Sequence, residues 1–276
     1  MPAPVSNSIW YVYGIVSSEM PEATLPVGLD DTGVAIERHD RIAALVSVLD
    51  GEQYAPAALE TSSGDVEWLS PRAVAHDRVL TWASDHGAVV PLPMFSLFSG
   101  QQAVRTMLRE RSSQLASTLA SVARGREYAL RVYRVDAELL AAAASLSPRL
   151  GEMAQMAASA SPGQRYLLER KLDGEKKAEL RSLSQRIVEE IVGELQPHTL
   201  QSVRSPIPRA ADADTATRGT MVLNAAFLVA PNQFDALQKT LTSLVARHAA
   251  HGFRFDFTGP WPPYHFVNEP SPTNDA

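Results

Sequence analysis

Histidine carries the most chemical potential in this chain. There are seven, and His248 and His251 stand three apart, a spacing that puts two imidazoles on adjacent turns of one helix. A zinc centre would also need a third ligand and a base nearby. No His-Glu-x-x-His run is present, and no carboxylate falls in that turn. The chain has no cysteine, which removes thiolate ligands, disulfides and cysteine nucleophiles together. The two histidines better suit the last turn of a helix ended by Gly252, where imidazole matches the helix dipole. His76 is followed by Asp77, but adjacent helical residues point apart, so no catalytic dyad is expected. His76 shares an apolar stripe with Leu69, Ala73 and Leu80 and is expected to be buried and structural.

Other reactive patterns are missing. There is no glycine-rich phosphate loop with lysine, no strand–GxGxxG–helix, no GxSxG elbow and no Ser-x-x-Lys. Lysine occurs only at Lys171, Lys176, Lys177 and Lys239. The expectation is a protein that is not an enzyme and needs no cofactor or metal. Trp10, Tyr11 and Tyr13 invite base stacking, yet the basic, glycine-aromatic RNA-binding pattern is absent. With Lys+Arg 25 against Asp+Glu 31 and a net charge of -6, no nucleic-acid partner is expected, and the aromatics read as core. The arginines of two helical stretches (Arg105, Arg109, Arg111; Arg165, Arg170, Arg181, Arg186) alternate with Glu and Gln. They form either a solvated face or a partner-binding one.

The elements that would position these residues follow from periodicity. Ile9–Val16, Val34–Arg38 and Ile42–Leu49 read as strands, with Asp50–Gly64 as a polar loop. Val66–His86 is a helix ended by Gly87; Ala88–Phe98 is strand-like but interrupted by Pro91 and Pro93. Gln101–Val122 reads as one helix. Then come strand Tyr128–Val135, helix Ala137–Ala144, a long helix Gln164–Leu195 with Gly174 as a possible divider, a short strand within His198–Val203, and strand Thr220–Ala230. A helix capped by Asn232 and a last strand, Phe253–Phe257, complete the chain. The length, 276 residues, fits two ordinary domains. The expected class is α+β with two domains: residues 1–125 as a modified ferredoxin-like unit, and 126–268 as a ferredoxin-like unit (β-α-β-β-α-β) with a long helical insertion. Residues 269–276 read as a polar tail. No apolar run reaches the ~18 residues of a membrane span, and no secretory leader is legible, so a soluble, cytoplasmic protein is expected.

The most distinctive segment is Thr258-Gly259-Pro260-Trp261-Pro262-Pro263-Tyr264. Three prolines stiffen it and remove three backbone donors, so it should not extend a sheet ladder. Trp261 is expected to act as a buried lid over the second domain's sheet edge, and Tyr264 to play a mixed structural and interface role.

The string Gly259-Pro-Trp-Pro-Pro-Tyr-His-Phe-Val267 resembles the C-terminal signature of the gas vesicle protein F/L family. Further matching pieces are Trp10–Val16, Ile42–Ser47, Trp68-Leu69 with Ala75–Leu80, Val90–Phe95, Ser161–Leu167 (which contains Arg165 and Tyr166) and Leu223–Val229. They cover nearly the whole chain in order. Asp77 and Met94 stand where Glu and Arg are common in that family.

The resemblance implies an accessory or minor structural protein of gas vesicles, located in the cytoplasm and at the vesicle. It also implies two α+β domains that bind the small hydrophobic shell protein and other accessory proteins and help assembly. Trp68, His76, Arg165, Tyr166, Trp261 and Tyr264 are the candidate interface or structural positions. The competing expectation is a ferredoxin-like small-ligand or RNA-binding module unrelated to gas vesicles.

Overall fold

The computed structural model describes residues 8–208 and 218–267. The chain forms two compact units, Met1–Glu127 with Pro260–Ala276, and Tyr128–Gly259. It is an α+β protein with two separate sheets.

The first unit runs β1 (Ser8–Ser17), β2 (Ala35–His39), β3 (Ile42–Asp50), α1 (Pro56–Ser62), α2 (Val66–His86), β4 (Val89–Pro91), β5 (Leu97–Phe98), α3 (Gln101–Glu110) and α4 (Ser112–Val122). The strand order is β2-β3-β1-β4, with β5 also paired to β1. β1 is antiparallel to β3, β4 and β5. Both faces are covered. Tyr11, Tyr13 and Val16 pack with Ala75, Val79, Leu80 and Ala83 of α2. Val12 and Ile15 pack with Val104 and Leu108 of α3 and with Leu115, Leu119 and Val122 of α4. A sheet buried on both sides explains the nearly unbroken apolar runs of β1 and β3. A register shift between Val12 and Gly14 marks a bulge in β1. The extra residue flips the side-chain parity, which is why Tyr13 and Ile15 face opposite cores.

Two local expectations fail here. The polar stretch after β3 holds α1, a short helix with Pro56 in its first turn, where a missing N–H costs nothing. The single helix expected over Gln101–Val122 is two, broken at Arg111 (φ -104°, ψ 9°). The Ser112-Ser113 pair that follows weakens helix continuity.

The second unit contains β6 (Arg126–Arg134, whose first two residues group with the first unit), α5 (Asp136–Leu146), α6 (Pro148–Ser159), α7 (Pro162–Leu195), β7 (Gln201–Arg204), β8 (Thr220–Val229), α8 (Phe234–His248) and β9 (Phe253–Trp261). The strand order is β7-β8-β6-β9. One core joins Leu130 and Val132 of β6, Phe227 and Val229 of β8, Leu183, Ile187 and Ile191 of α7, and Leu237, Leu241 and Leu244 of α8. α7 runs through Gly174 without a break. The expected Asn232 cap is not used: a 3₁₀ turn over Pro231–Gln233 precedes α8 instead. Gly252 ends the helical region in the left-handed conformation (φ 84°), which glycine adopts without a Cβ penalty.

β9 also runs past the expected end, through Pro260 to Trp261. It is an edge strand, and an edge tolerates proline because the missing donor leaves no inner ladder bond unmade. From Pro260 onward the chain groups with the first unit rather than with the sheet it has just completed. No helix among the described residues is long and apolar enough to cross a membrane.

Candidate functional site

The C-terminal segment is built on its prolines. Gly259 has φ 128°, and two tight turns follow, with Tyr264 N–H donating to the Pro262 carbonyl (2.7 Å) and Phe266 N–H to that of Pro263 (3.2 Å). Pro262, Pro263 and Val267 are buried. Val267 joins the core formed with α3 and α4, and Phe266 packs against it. Trp261 and Tyr264 are each 40% exposed. The expected burial of Trp261 as a lid is therefore corrected. Pro262 and Pro263 are the buried residues of the segment, and Trp261 and Tyr264 on either side of them stay partly exposed.

Polar contacts fix the segment to the first unit. The Tyr264 hydroxyl donates to Asp77 Oδ1 at 3.1 Å. Burial and the adjacent Asp77 carboxylate push the Tyr264 phenol well above its ordinary value. Asp77 thus keeps a carboxylate's acceptor role despite its shorter side chain. His265 reaches Glu127 twice, its N–H donating to Oε2 at 3.0 Å and its Nδ1 lying 2.7 Å from Oε1. The Glu127 side chain is 2% exposed against 41% for His265. Burial pushes the Glu127 carboxyl upward, and the hydrogen bonds from His265 oppose this.

Next to this segment on α2 lies His76, which is buried. Its Nδ1 is 2.6 Å from the Tyr11 hydroxyl, and its ring stacks on Tyr13 (5.7 Å, 29°). Tyr13 donates to Ser47 Oγ (2.9 Å) and accepts from Leu29 N–H (2.8 Å). Gly28 makes room for that contact: a Cβ there would come within 2.2 Å of the Tyr13 hydroxyl oxygen. Tyr11 accepts from Phe95 N–H (3.3 Å), and Phe95 is held at φ 65°, an uncommon place for a bulky residue. Phe95 stacks on Trp68 (5.6 Å, 25°). Trp68 also lies beside Tyr54 (6.1 Å between ring centres) and under the Arg72 guanidinium, 4.0 Å from the ring centre. Arg72 also pairs with Asp30 (2.6 Å) and donates to Tyr54 (3.0 Å).

The candidate positions Trp68, His76 and Tyr264 are thus linked within the first unit through Phe95, Tyr11 and Asp77. Trp261 lies on the same segment as Tyr264. The side chains of Arg165 and Tyr166, on α7, lie outside the described residues. Sequence reasoning missed Glu127, His265, Arg72 and Phe95. Of these only Arg72 had a local cue, its i+4 spacing from Trp68.

The remaining clusters are less suited to a site. His248 ends α8 with Nε2 3.3 Å from Glu190, and burial lowers its basicity. Among the described residues no group of three or more His, Cys, Asp or Glu is placed to hold a metal ion. A cleft of about 590 Å³ in the second unit is lined by Arg134, Asp136, Glu138, Arg218, Arg254 and Asp256, among others. These charges are paired, Arg134 with Asp136, Arg254 with Glu138 and Arg218 with Asp256.

Residues 9–268 match the family model described as gas vesicle synthesis protein GvpL/GvpF. Gas vesicle protein L1 of Halobacterium salinarum is 28% identical over 266 residues, covering 93% of this chain and 89% of that protein. Gas vesicle protein F of a Streptomyces species is 28% identical over 261 residues, covering 93% and 98%. In fold, the chain is similar to the crystal structure of GvpF from Anabaena sp. PCC7120, with a TM-score of 0.70 at 21% identity, covering 95% of this chain and 98% of that one.

Proposed function

The chain belongs to the GvpL/GvpF family of gas vesicle synthesis proteins, and from that premise we propose that it is an accessory or minor structural protein of gas vesicles. It binds the small hydrophobic shell protein and assists assembly, acting in the cytoplasm and at the growing vesicle together with other accessory proteins.

One observation carries the choice of surface. Trp261 and Tyr264 are 40% exposed on a backbone already stiffened by Pro260, Pro262 and Pro263. Large aromatics presented this way can enter an apolar partner with little ordering cost. Amphipathic rings of this kind are the residues most often found to dominate binding. A host strain from which the gene is deleted should form few or no vesicles, and the parent chain should restore them. Normal vesicle yield in the deletion strain would contradict the assembly role.

A further inference from the structure

We propose that Glu127 and His265 form a pH-sensitive clasp that holds the Trp261–Tyr264 segment on the first unit, so that the pair governs how firmly these two aromatics are presented. The inference rests on the function proposed above only in taking Trp261 and Tyr264 as the docking surface; the clasp itself stands on geometry. Glu127 is the last residue of the first unit before the chain enters the second, and Pro260 begins the part that rejoins the first unit. The two halves of the first unit are therefore joined across 138 positions by one buried carboxylate that takes two hydrogen bonds from a single residue. Around it, Tyr264 donates to Asp77 of α2. The neighbouring Arg126 guanidinium is directed at Ser84 (3.3 Å) and Asp85 (3.8 Å). His265 is thus the titratable residue that meets the Glu127 carboxylate directly.

The sign of the pH dependence follows from linkage. A carboxylate buried in the clasp is harder to ionise than one in water, and the Glu127 carboxyl is raised accordingly. Protonation therefore favours the clasped form. The clasp tightens as pH falls from neutral toward the ordinary glutamate value of 4.5 and loosens as pH rises. At neutral pH the two donors of His265 offset the cost of burying the charge. With the imidazole removed, only the backbone N–H remains.

The test is amide hydrogen exchange of residues 260–267, expressed as protection relative to the free peptide, at neutral pH and at about pH 5. His265→Ala removes a half-exposed side chain and little packing. It should lower protection of the segment about tenfold at neutral pH, as expected for losing one hydrogen bond to a charged group, and the loss should shrink at the lower pH. Adding Glu127→Gln should restore protection at neutral pH, since the neutral amide leaves no charge to offset. Parent-like protection in His265→Ala, an equal loss at both pH values, or a double variant as loose as the single one would each overturn the clasp. Capture of the shell protein by His265→Ala is read separately. Undiminished capture by a loosened segment would count against Trp261 and Tyr264 as the docking surface and leave the exchange result standing.

Discussion

The Tyr11 hydroxyl lies 2.6 Å from Nδ1 of His76, and it also accepts a hydrogen bond from Phe95 N–H. The hydroxyl can hold both contacts, because its oxygen keeps a lone pair for Phe95 N–H whichever way the proton in the Tyr11–His76 hydrogen bond lies. The imidazole is neutral: burial lowers its pKa from 6.5 to about 4. The Tyr11 hydroxyl thus joins β1 to α2 and to the Phe95 turn.

That neutrality sets a pH dependence. The folded state binds this proton less readily than the unfolded one, so the stabilisation is complete above pH 6.5 and is lost as pH falls toward about 4. The shift corresponds to about 3 kcal/mol. Thermal melts of the parent should fall between pH 6.5 and 4.5. The His76→Ala variant should melt lower at neutral pH and show a shallower fall over the same range. His248, lowered in the same direction, contributes to the slope that remains, and Glu127, raised by burial, opposes it.

Tyr11→Phe should cost about 1–3 kcal/mol, because it leaves Nδ1 of His76 and the Phe95 N–H without their partner. Chemical denaturation checks this. A loss well below 1 kcal/mol would mean that the Phe95 turn finds another acceptor.

Gly28→Ala should be destabilising, although the loss of backbone freedom in the unfolded chain by itself would favour the folded state. The added Cβ would collide with the Tyr13 hydroxyl, and with Ser47 Oγ at 2.7 Å, breaking the bond to Leu29 N–H. Tyr13→Phe combined with Gly28→Ala should be less than additive, since both remove the same contact. Additive losses would show that the glycine serves another purpose.

Arg72→Lys should not rescue Arg72→Ala. The guanidinium is at once paired to Asp30, bonded to Tyr54 and laid over Trp68, and an ammonium cannot do all three. A loss of about 2–4 kcal/mol is expected for alanine, with lysine recovering less than half. Equal melting of the lysine variant and the parent would reduce the contact to charge alone.

The strands and helices with a clear period were legible. α2 and α8 lie where their apolar spacing placed them, because each buries one face; β1 and β3 lie where their runs of β-branched and apolar residues placed them, because both faces of their sheet are covered. α1 was missed since its seven residues are too few to show a period and its surroundings are polar. The break at Arg111 was missed because the stripe Val104, Leu108, Leu115, Leu119 continues across it. The partial exposure of Trp261 was misread for a different reason. Proline content told that the segment is stiff, but not that Pro262 and Pro263 would be buried while Trp261 stays partly exposed. Glu127 and His265 meet across 138 positions, a separation no local pattern records. His76 was readable because the stripe of Leu69, Ala73 and Leu80 passes through it.

The partly exposed aromatics of the C-terminal segment are expected to bind the shell protein directly. Purified parent chain, Trp261→Ala and Tyr264→Ala should be compared for direct binding to the shell protein of the same host, with melts in parallel. The parent should bind. Each variant should lose about 2 kcal/mol or more of affinity, roughly 30-fold in Kd, with less than the ~3–5 kcal/mol loss of stability that a deeply buried aromatic would cause. Undiminished binding by both folded variants would contradict the claim.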